Sequence, residues 1–108
     1  MFTIIETPIF KREADAIWSE RERGAFCAWL ARYPDAGEVI RGSGGCRKIR
    51  WTHAGAGKRG GVRVIYFNRL SRHEIWLLVI YTKRVREDIP LHLLRTSREE
   101  LIDEQDGA

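Results

Sequence analysis

The strongest constraint on the fold is the apolar run IWLLVIY, from Ile75 to Tyr81, in the C-terminal third of the chain. The run is far too short for a membrane-spanning helix, and its β-branched and aromatic residues favour a strand. Because successive side chains of a strand point to opposite faces, a strand that is apolar throughout needs cover on both faces. The run therefore predicts a strand at the buried centre of a sheet.

Three further segments have the residue types of strands. A short strand is predicted from Phe2 to Ile5, and two longer ones, Cys46 to Thr52 and Val62 to Asn68, precede the apolar run, whose own strand is predicted from Ile75 to Thr82. Only a loop separates each of the last three strands from the next. They are therefore predicted to pair antiparallel in sequence order.

Two helices are predicted between the first strand and the others. The first runs from Ile9 to Trp18 and follows the dipeptide TP, since proline is favoured at the first helical position. The second starts at the capping box SERE, with Ser19 as N-cap and Glu22 as its partner, and ends near Tyr33, before a proline. In both segments the apolar residues recur at helical spacing.

The predicted elements make one α+β domain of all 108 residues, with an N-terminal strand and two helices packed on a small curled antiparallel sheet. Leu91, Leu94 and Leu101 predict a C-terminal helix, and the tail at about 103–108 is predicted to be flexible. No apolar run reaches the length of a membrane span, and the two cysteines form no C-x-x-C motif. We therefore expect a cytoplasmic protein without a membrane partner.

Positive charge is concentrated in the middle of the chain. From Val39 to His73 there are nine Lys or Arg and no Asp or Glu, while the flanks hold the other ten basic residues and all fifteen acidic ones. The formal charge is thus about +9 in the middle and about −5 in the flanks. A polyanion such as RNA is the natural partner of that segment.

The loop GAGKRG, from Gly55 to Gly60, matches the G-x-G-x-x-G pattern of dinucleotide-binding loops. That pattern needs a helix after it, whereas the following GVRVIYF is typical of a strand. A P-loop is also excluded, because Thr52 stands where its first glycine would be and Arg59 where its Ser or Thr would be. The sequence therefore predicts no cofactor, and Lys58 and Arg59 are predicted to contact RNA backbone.

A cluster of cations is predicted on the sheet. Lys48 and Arg50 share one face of their strand, and Arg63 lies in the next strand between two valines. A charge inside an apolar strand is costly unless it faces water or a ligand. With Arg84 after the last strand, these residues could form a phosphate site, with Arg47 and Lys83 as further RNA contacts; a solvated basic face without catalysis is the alternative.

The segments GSGGCRKIRW, GAGKRGGVRVIYF and WLLVIYTKRVREDI together resemble the RelE/HigB superfamily of bacterial toxins, most closely its HigB-like branch with a GKRGG loop. The resemblance covers nearly the whole chain. It implies a RelE-like fold and the toxin of a type II toxin–antitoxin system, a metal-independent endoribonuclease that cleaves mRNA on the ribosome. Its partners would be mRNA, ribosomal RNA and a cognate antitoxin, expected to be a helix-turn-helix protein.

The resemblance places the family's basic site residues on Lys48, Arg50, Arg63, Lys83 and Arg84. Metal-free RNA cleavage uses the 2′-OH as nucleophile, and therefore needs a proton acceptor, stabilisation of phosphoryl charge and a proton for the leaving oxygen. Lys48 is the predicted acceptor, the arginines hold the phosphate, and Arg84 is placed near the leaving group.

Two histidines, His53 and His92, are alternative acid or base groups. Where some members of the family carry a catalytic Tyr, this chain has Pro90. Two other functions therefore stay open. One is a non-catalytic RNA- or ribosome-binding module, and the other is an inactive toxin-like protein that only binds an antitoxin.

Overall fold

The computed structural model describes residues 1–51 and 61–82 of the chain. Within these ranges two helices lie against a five-stranded sheet, which confirms the α+β class. The C-terminal helix and the tail at about 103–108 fall outside the described residues. The strands are β1 (Thr3–Glu6), β2 (Glu38–Val39), β3 (Cys46–Trp51), β4 (Val62–Arg69) and β5 (Glu74–Thr82), and the helices are α1 (Pro8–Ile17) and α2 (Glu20–Arg32).

Local capping signals set the ends of both helices. At α1 the Thr7 side chain accepts a hydrogen bond from the Phe10 backbone N–H at 3.1 Å, and a proline occupies the first turn. At α2 the capping box predicted at Ser19 and Glu22 is present in both directions. The second helix ends at Arg32, as expected one residue before Tyr33 and the proline that follows it.

The sheet has the order β1-β5-β4-β3-β2 and is mixed. The predicted antiparallel pairing of β3 with β4 and of β4 with β5 is confirmed, and β2 adds antiparallel to β3. The first strand departs from the predicted all-antiparallel sheet, because β1 lies parallel to β5. The chain passes through both helices and three strands between β1 and β5, and such a long connection allows the parallel arrangement, which a short hairpin could not produce.

The apolar strand β5 is internal, between β1 and β4, as its composition predicted, although β4 is the middle strand of the five. Buried residues lie on both sides of the sheet. One core joins α1 and α2 to the sheet through Phe10, Phe26, Leu30 and other side chains. The second, on the opposite face, includes Ile65 and five other buried residues of β3, β4 and β5.

Candidate phosphate site on the sheet

Three cations predicted from the sequence are brought together by the pairing of β3 with β4. Arg50 lies directly opposite Arg63, and Lys48 is two residues away on the same face of β3. Ile49 between them points the other way and is 9% exposed in the helix-side core. Arg50 is exposed, whereas Lys48 and Arg63 are half-buried, so the cluster is open to a ligand.

A pocket of about 280 Å³ lies at this cluster, lined by Ala36, Glu38, Lys48, Ile49, Arg50 and Arg63. We call it the cation pocket. Strand β2 pairs with Arg47 and Lys48 of β3 and does not extend to Arg50. The cation pocket lies at this end of β2, beside Glu38. A small, open, cationic pocket of this kind suits one phosphate group and its nearest sugar atoms.

Glu38 is a site residue that the sequence reasoning missed. It pairs directly with Lys48 across β2 and β3 and is the one acidic residue among the described residues that line the cation pocket. A two-residue strand has no periodicity that a pattern search could detect. The signal that could have found Glu38 is its position as the last acidic residue before the long basic segment.

The side chain of Arg50 lies over Gly61, the first described residue after the basic loop. A Cβ built on Gly61 would overlap Arg50 Nε and lie 3.0 Å from Nη2 and 3.1 Å from Cζ, so the absence of a side chain leaves room for the guanidinium. Gly61 is itself buried. The glycine therefore helps to place Arg50 at the pocket.

The segment between α2 and β2, residues 34–37, is held by side chains from β4. The Tyr66 hydroxyl accepts a hydrogen bond from the Gly37 N–H at 2.9 Å and donates one to the Pro34 carbonyl at 2.7 Å. Asn68 donates to the same carbonyl at 2.9 Å. Tyr66 is fully buried, and this burial raises the pKa of its phenol, although the hydrogen bond from Gly37 acts in the opposite direction.

Arg47, expected to contact RNA, projects to the face opposite Lys48 and binds the same segment. Its Nη1 donates to the Gly37 carbonyl at 2.7 Å and to the Asp35 carbonyl at 3.2 Å. Its Nη2 lies 3.5 Å from the Asp35 carboxylate. In this structure the Arg47 guanidinium therefore has protein partners.

The aromatic residues near the site mostly serve the core. Trp51 packs edge-on to Phe26, with ring centroids 5.3 Å apart, and also contacts Trp29. Tyr81 is 3% exposed in the second core. Trp51 and Tyr81 are therefore occupied by packing within the protein.

Several predicted site residues lie outside the described ranges, namely His53, Lys58, Arg59, Lys83, Arg84 and His92, as does Pro90, which stands where some members of the family carry a catalytic Tyr. Their roles remain predictions. Within residues 1–51 and 61–82, no group of three or more His, Cys, Asp or Glu side chains could hold a metal ion. Among the same residues, no helix combines the length and apolar character needed to cross a membrane.

Comparison with solved structures identifies the architecture. A mutant of the E. coli toxin RelE in the free state superposes with a TM-score of 0.63 at 14% identity, covering 90% of this chain and 96% of that one. The fold is the RelE fold. The toxin–antitoxin complex RelBE2 from Mycobacterium tuberculosis gives a TM-score of 0.57 at 17% identity, covering 75% of this chain and 96% of that one.

A third structure, the intact E. coli RelBE toxin–antitoxin complex, gives a TM-score of 0.60 at 14% identity, covering 76% of this chain and 96% of that one. No family model matches the chain. At these identities the likeness shows a shared RelE fold, while the activity must be argued from the residues of this chain.

Proposed function

We propose that this protein is the toxin of a type II toxin–antitoxin pair, in the HigB-like branch of the RelE/HigB superfamily, and a metal-independent endoribonuclease that cleaves mRNA on the ribosome. The observation that carries the proposal is the cation pocket, which Lys48, Arg50 and Arg63 line together with Glu38 on a RelE fold. The basic middle of the sequence supplies the wider attraction to RNA.

The three cations suit the charge that develops on a phosphate during cleavage. Arg50 and Arg63 offer planar guanidinium groups from opposite strands, and each can donate two hydrogen bonds to phosphoryl oxygens. Lys48 adds a compact positive charge on the same face. Fixed donors of this kind stabilise a transition state because they need no rearrangement as charge develops.

Glu38 is the proton acceptor that the geometry favours. A lysine ammonium must lose its own proton before it can accept another, whereas a glutamate in its ordinary state is ionised at neutral pH. Glu38 is also the one carboxylate among the described residues that line the cation pocket. Lys48, the acceptor predicted from the sequence, then serves to stabilise charge beside it.

The proposed reaction is an internal transfer of the phosphoryl group from the 5′-oxygen to the neighbouring 2′-oxygen of the same RNA chain. The 2′-OH proton passes to Glu38, the 2′-oxygen bonds to phosphorus, and the bond from phosphorus to the 5′-oxygen breaks. The leaving 5′-oxygen takes a proton from a donor on the far side of the phosphate, a role proposed for His92, with Arg84 stabilising charge there. The products are a 2′,3′-cyclic phosphate and a 5′-OH.

The proposed partners follow from the same function. The similar RelBE structures are toxin–antitoxin complexes, and we propose a cognate antitoxin with a helix-turn-helix domain and acidic segments that cover the basic surface. The substrate and target would be mRNA and ribosomal RNA in the cytoplasm.

The function is tested by adding purified protein to ribosomes programmed with a defined mRNA. We expect cleavage by the parent protein and growth arrest when it is expressed without its antitoxin. A protein that binds ribosomes but leaves the mRNA intact would support the non-catalytic module, and one that binds only an antitoxin would support the inactive toxin.

A further inference from the structure

We propose that Tyr66 is a positioning residue for the cation pocket, because its buried hydroxyl fixes the segment that carries Ala36 and Glu38 into the pocket wall. The inference rests on the proposed RNA cleavage and adds to it a residue that does not touch the substrate. It also gives Arg47 the same kind of role, in place of the RNA contact expected from the sequence.

The Tyr66 hydroxyl holds the segment on both sides of Ala36. It donates to the carbonyl of Pro34 and accepts from the N–H of Gly37, at 2.7 and 2.9 Å. Tyr66 is 0% exposed, so water cannot readily replace either bond. A buried donor that loses its acceptor costs about 1–3 kcal/mol, which makes the arrangement resistant to distortion.

We call the hydrogen bonds that Tyr66 forms with Pro34 and Gly37 the Tyr66 clamp. Gly37 fits this clamp because it has no side chain. A Cβ at this position would lie 2.8 Å from Tyr66 Oη and 3.0 Å from the carbonyl oxygen of Lys48. The segment is therefore pressed against both the phenol and the backbone of a pocket residue. A shift of Gly37 would be transmitted to its neighbour Glu38, which pairs with Lys48 across β2 and β3.

Arg47 closes the clamp from the neighbouring strand. Its Nη1 donates to the Gly37 carbonyl, so both polar backbone groups of Gly37 are held by side chains, the N–H by Tyr66 and the carbonyl by Arg47. The next residue along the chain is Glu38. The backbone that carries the proposed proton acceptor is thus fixed one residue before it.

Such positioning matters for chemistry more than for binding. Misplacing a reacting group by 1 Å can lower a rate by about 10²-fold, even when the altered residue is remote from the substrate. The three cations that attract RNA are on β3 and β4, and these strands are held in place by their own pairing rather than by the segment at Gly37. A loosened clamp should therefore slow cleavage while ribosome affinity is retained.

The test compares Tyr66→Phe with Asn68→Ala. Tyr66→Phe keeps the ring but removes both hydrogen bonds, whereas Asn68→Ala removes only a second donor to Pro34, whose carbonyl keeps its bond from Tyr66. We expect the single-turnover rate of mRNA cleavage on saturating programmed ribosomes to fall at least about tenfold in Tyr66→Phe. Ribosome affinity should stay within about twofold of the parent, and Asn68→Ala should cleave like the parent.

Amide hydrogen exchange at Gly37, measured by NMR without RNA, tests the clamp independently of catalysis. We expect exchange to be at least about tenfold faster in Tyr66→Phe and unchanged in Asn68→Ala, with shifted resonances of Glu38 only in the former. Parental cleavage or unchanged exchange in Tyr66→Phe would overturn the inference, as would equal losses of rate in both variants.

A parent protein that cleaves no mRNA would refute the proposed function rather than this inference. The exchange rates and the Glu38 resonances would then decide whether Tyr66 positions the pocket wall. Unchanged values in Tyr66→Phe would refute the positioning role in that case too.

Discussion

Replacing Gly61 by alanine should displace the Arg50 guanidinium without weakening the fold. The added Cβ would overlap Arg50 Nε and approach Nη2 to 3.0 Å and Cζ to 3.1 Å, so the guanidinium has to move. These atoms are the end of a flexible and exposed side chain. The side chain can therefore move at little cost, and the backbone need not.

The size of the effect follows from what Arg50 would lose. A hydrogen bond to a charged group is worth about 1.5–3 kcal/mol, and each 1.36 kcal/mol changes a rate about tenfold. Loss of one Arg50 contact to the phosphate should thus slow cleavage by about 10- to 100-fold. Stability should stay within about 1 kcal/mol of the parent, since the strain falls on a flexible side chain while alanine restricts the unfolded chain.

The assay measures single-turnover cleavage on programmed ribosomes beside the midpoint of thermal unfolding. Gly24→Ala is the matched control, because nothing lies within 4 Å of a Cβ at Gly24, an exposed position inside α2. It should raise stability and leave cleavage unchanged. Parental cleavage by Gly61→Ala would show that Arg50 is not placed by this contact, and a large loss of stability would show that the backbone, not Arg50, gives way.

Three further predictions concern single residues. Arg63→Ala should abolish growth arrest while thermal unfolding stays near that of the parent; undiminished toxicity would remove Arg63 from the site. Glu38→Gln should slow cleavage by about 10² to 10⁴-fold while Lys48→Arg retains most activity, and the opposite order would return the acceptor role to Lys48. Burial raises the pKa of the Cys27 thiol from 9.0 to about 11. Cys27 should therefore alkylate slowly at pH 8, and the stability of the fold should fall as the pH rises from 9 to 11. Rapid alkylation at pH 8 would contradict that burial.

Local signals in the sequence were sufficient for much of the fold. Each helix start depends on contacts within three residues, such as the bond from the Phe10 N–H to Thr7, and the three long strands have distinct composition. The parallel pairing of β1 with β5 depends on residues about seventy positions apart. The residue types of β1 do not indicate which strand of the sheet it pairs with.

Local signals in the sequence also made part of the candidate site predictable. Alternation along β3 placed Lys48 and Arg50 on one face, and the register with β4 brought Arg63 to them. Glu38 was not predictable because it lies in a two-residue strand. The Tyr66 clamp was not predictable because its hydrogen bonds join Tyr66 to Gly37, which is 29 positions away, and to Pro34, which is 32 positions away. Such contacts arise only once the sheet has formed.

The most direct test of the central claim uses a defined mRNA on programmed ribosomes, with a single 2′-deoxy substitution at the cleaved nucleotide. Internal attack predicts that the parent protein cuts the all-ribose mRNA to a 2′,3′-cyclic phosphate and a 5′-OH, and that the 2′-deoxy substitution abolishes the cut. Cleavage that persists at the 2′-deoxy nucleotide, or an all-ribose mRNA that stays intact, would contradict the assignment of the cation pocket as an endoribonuclease site.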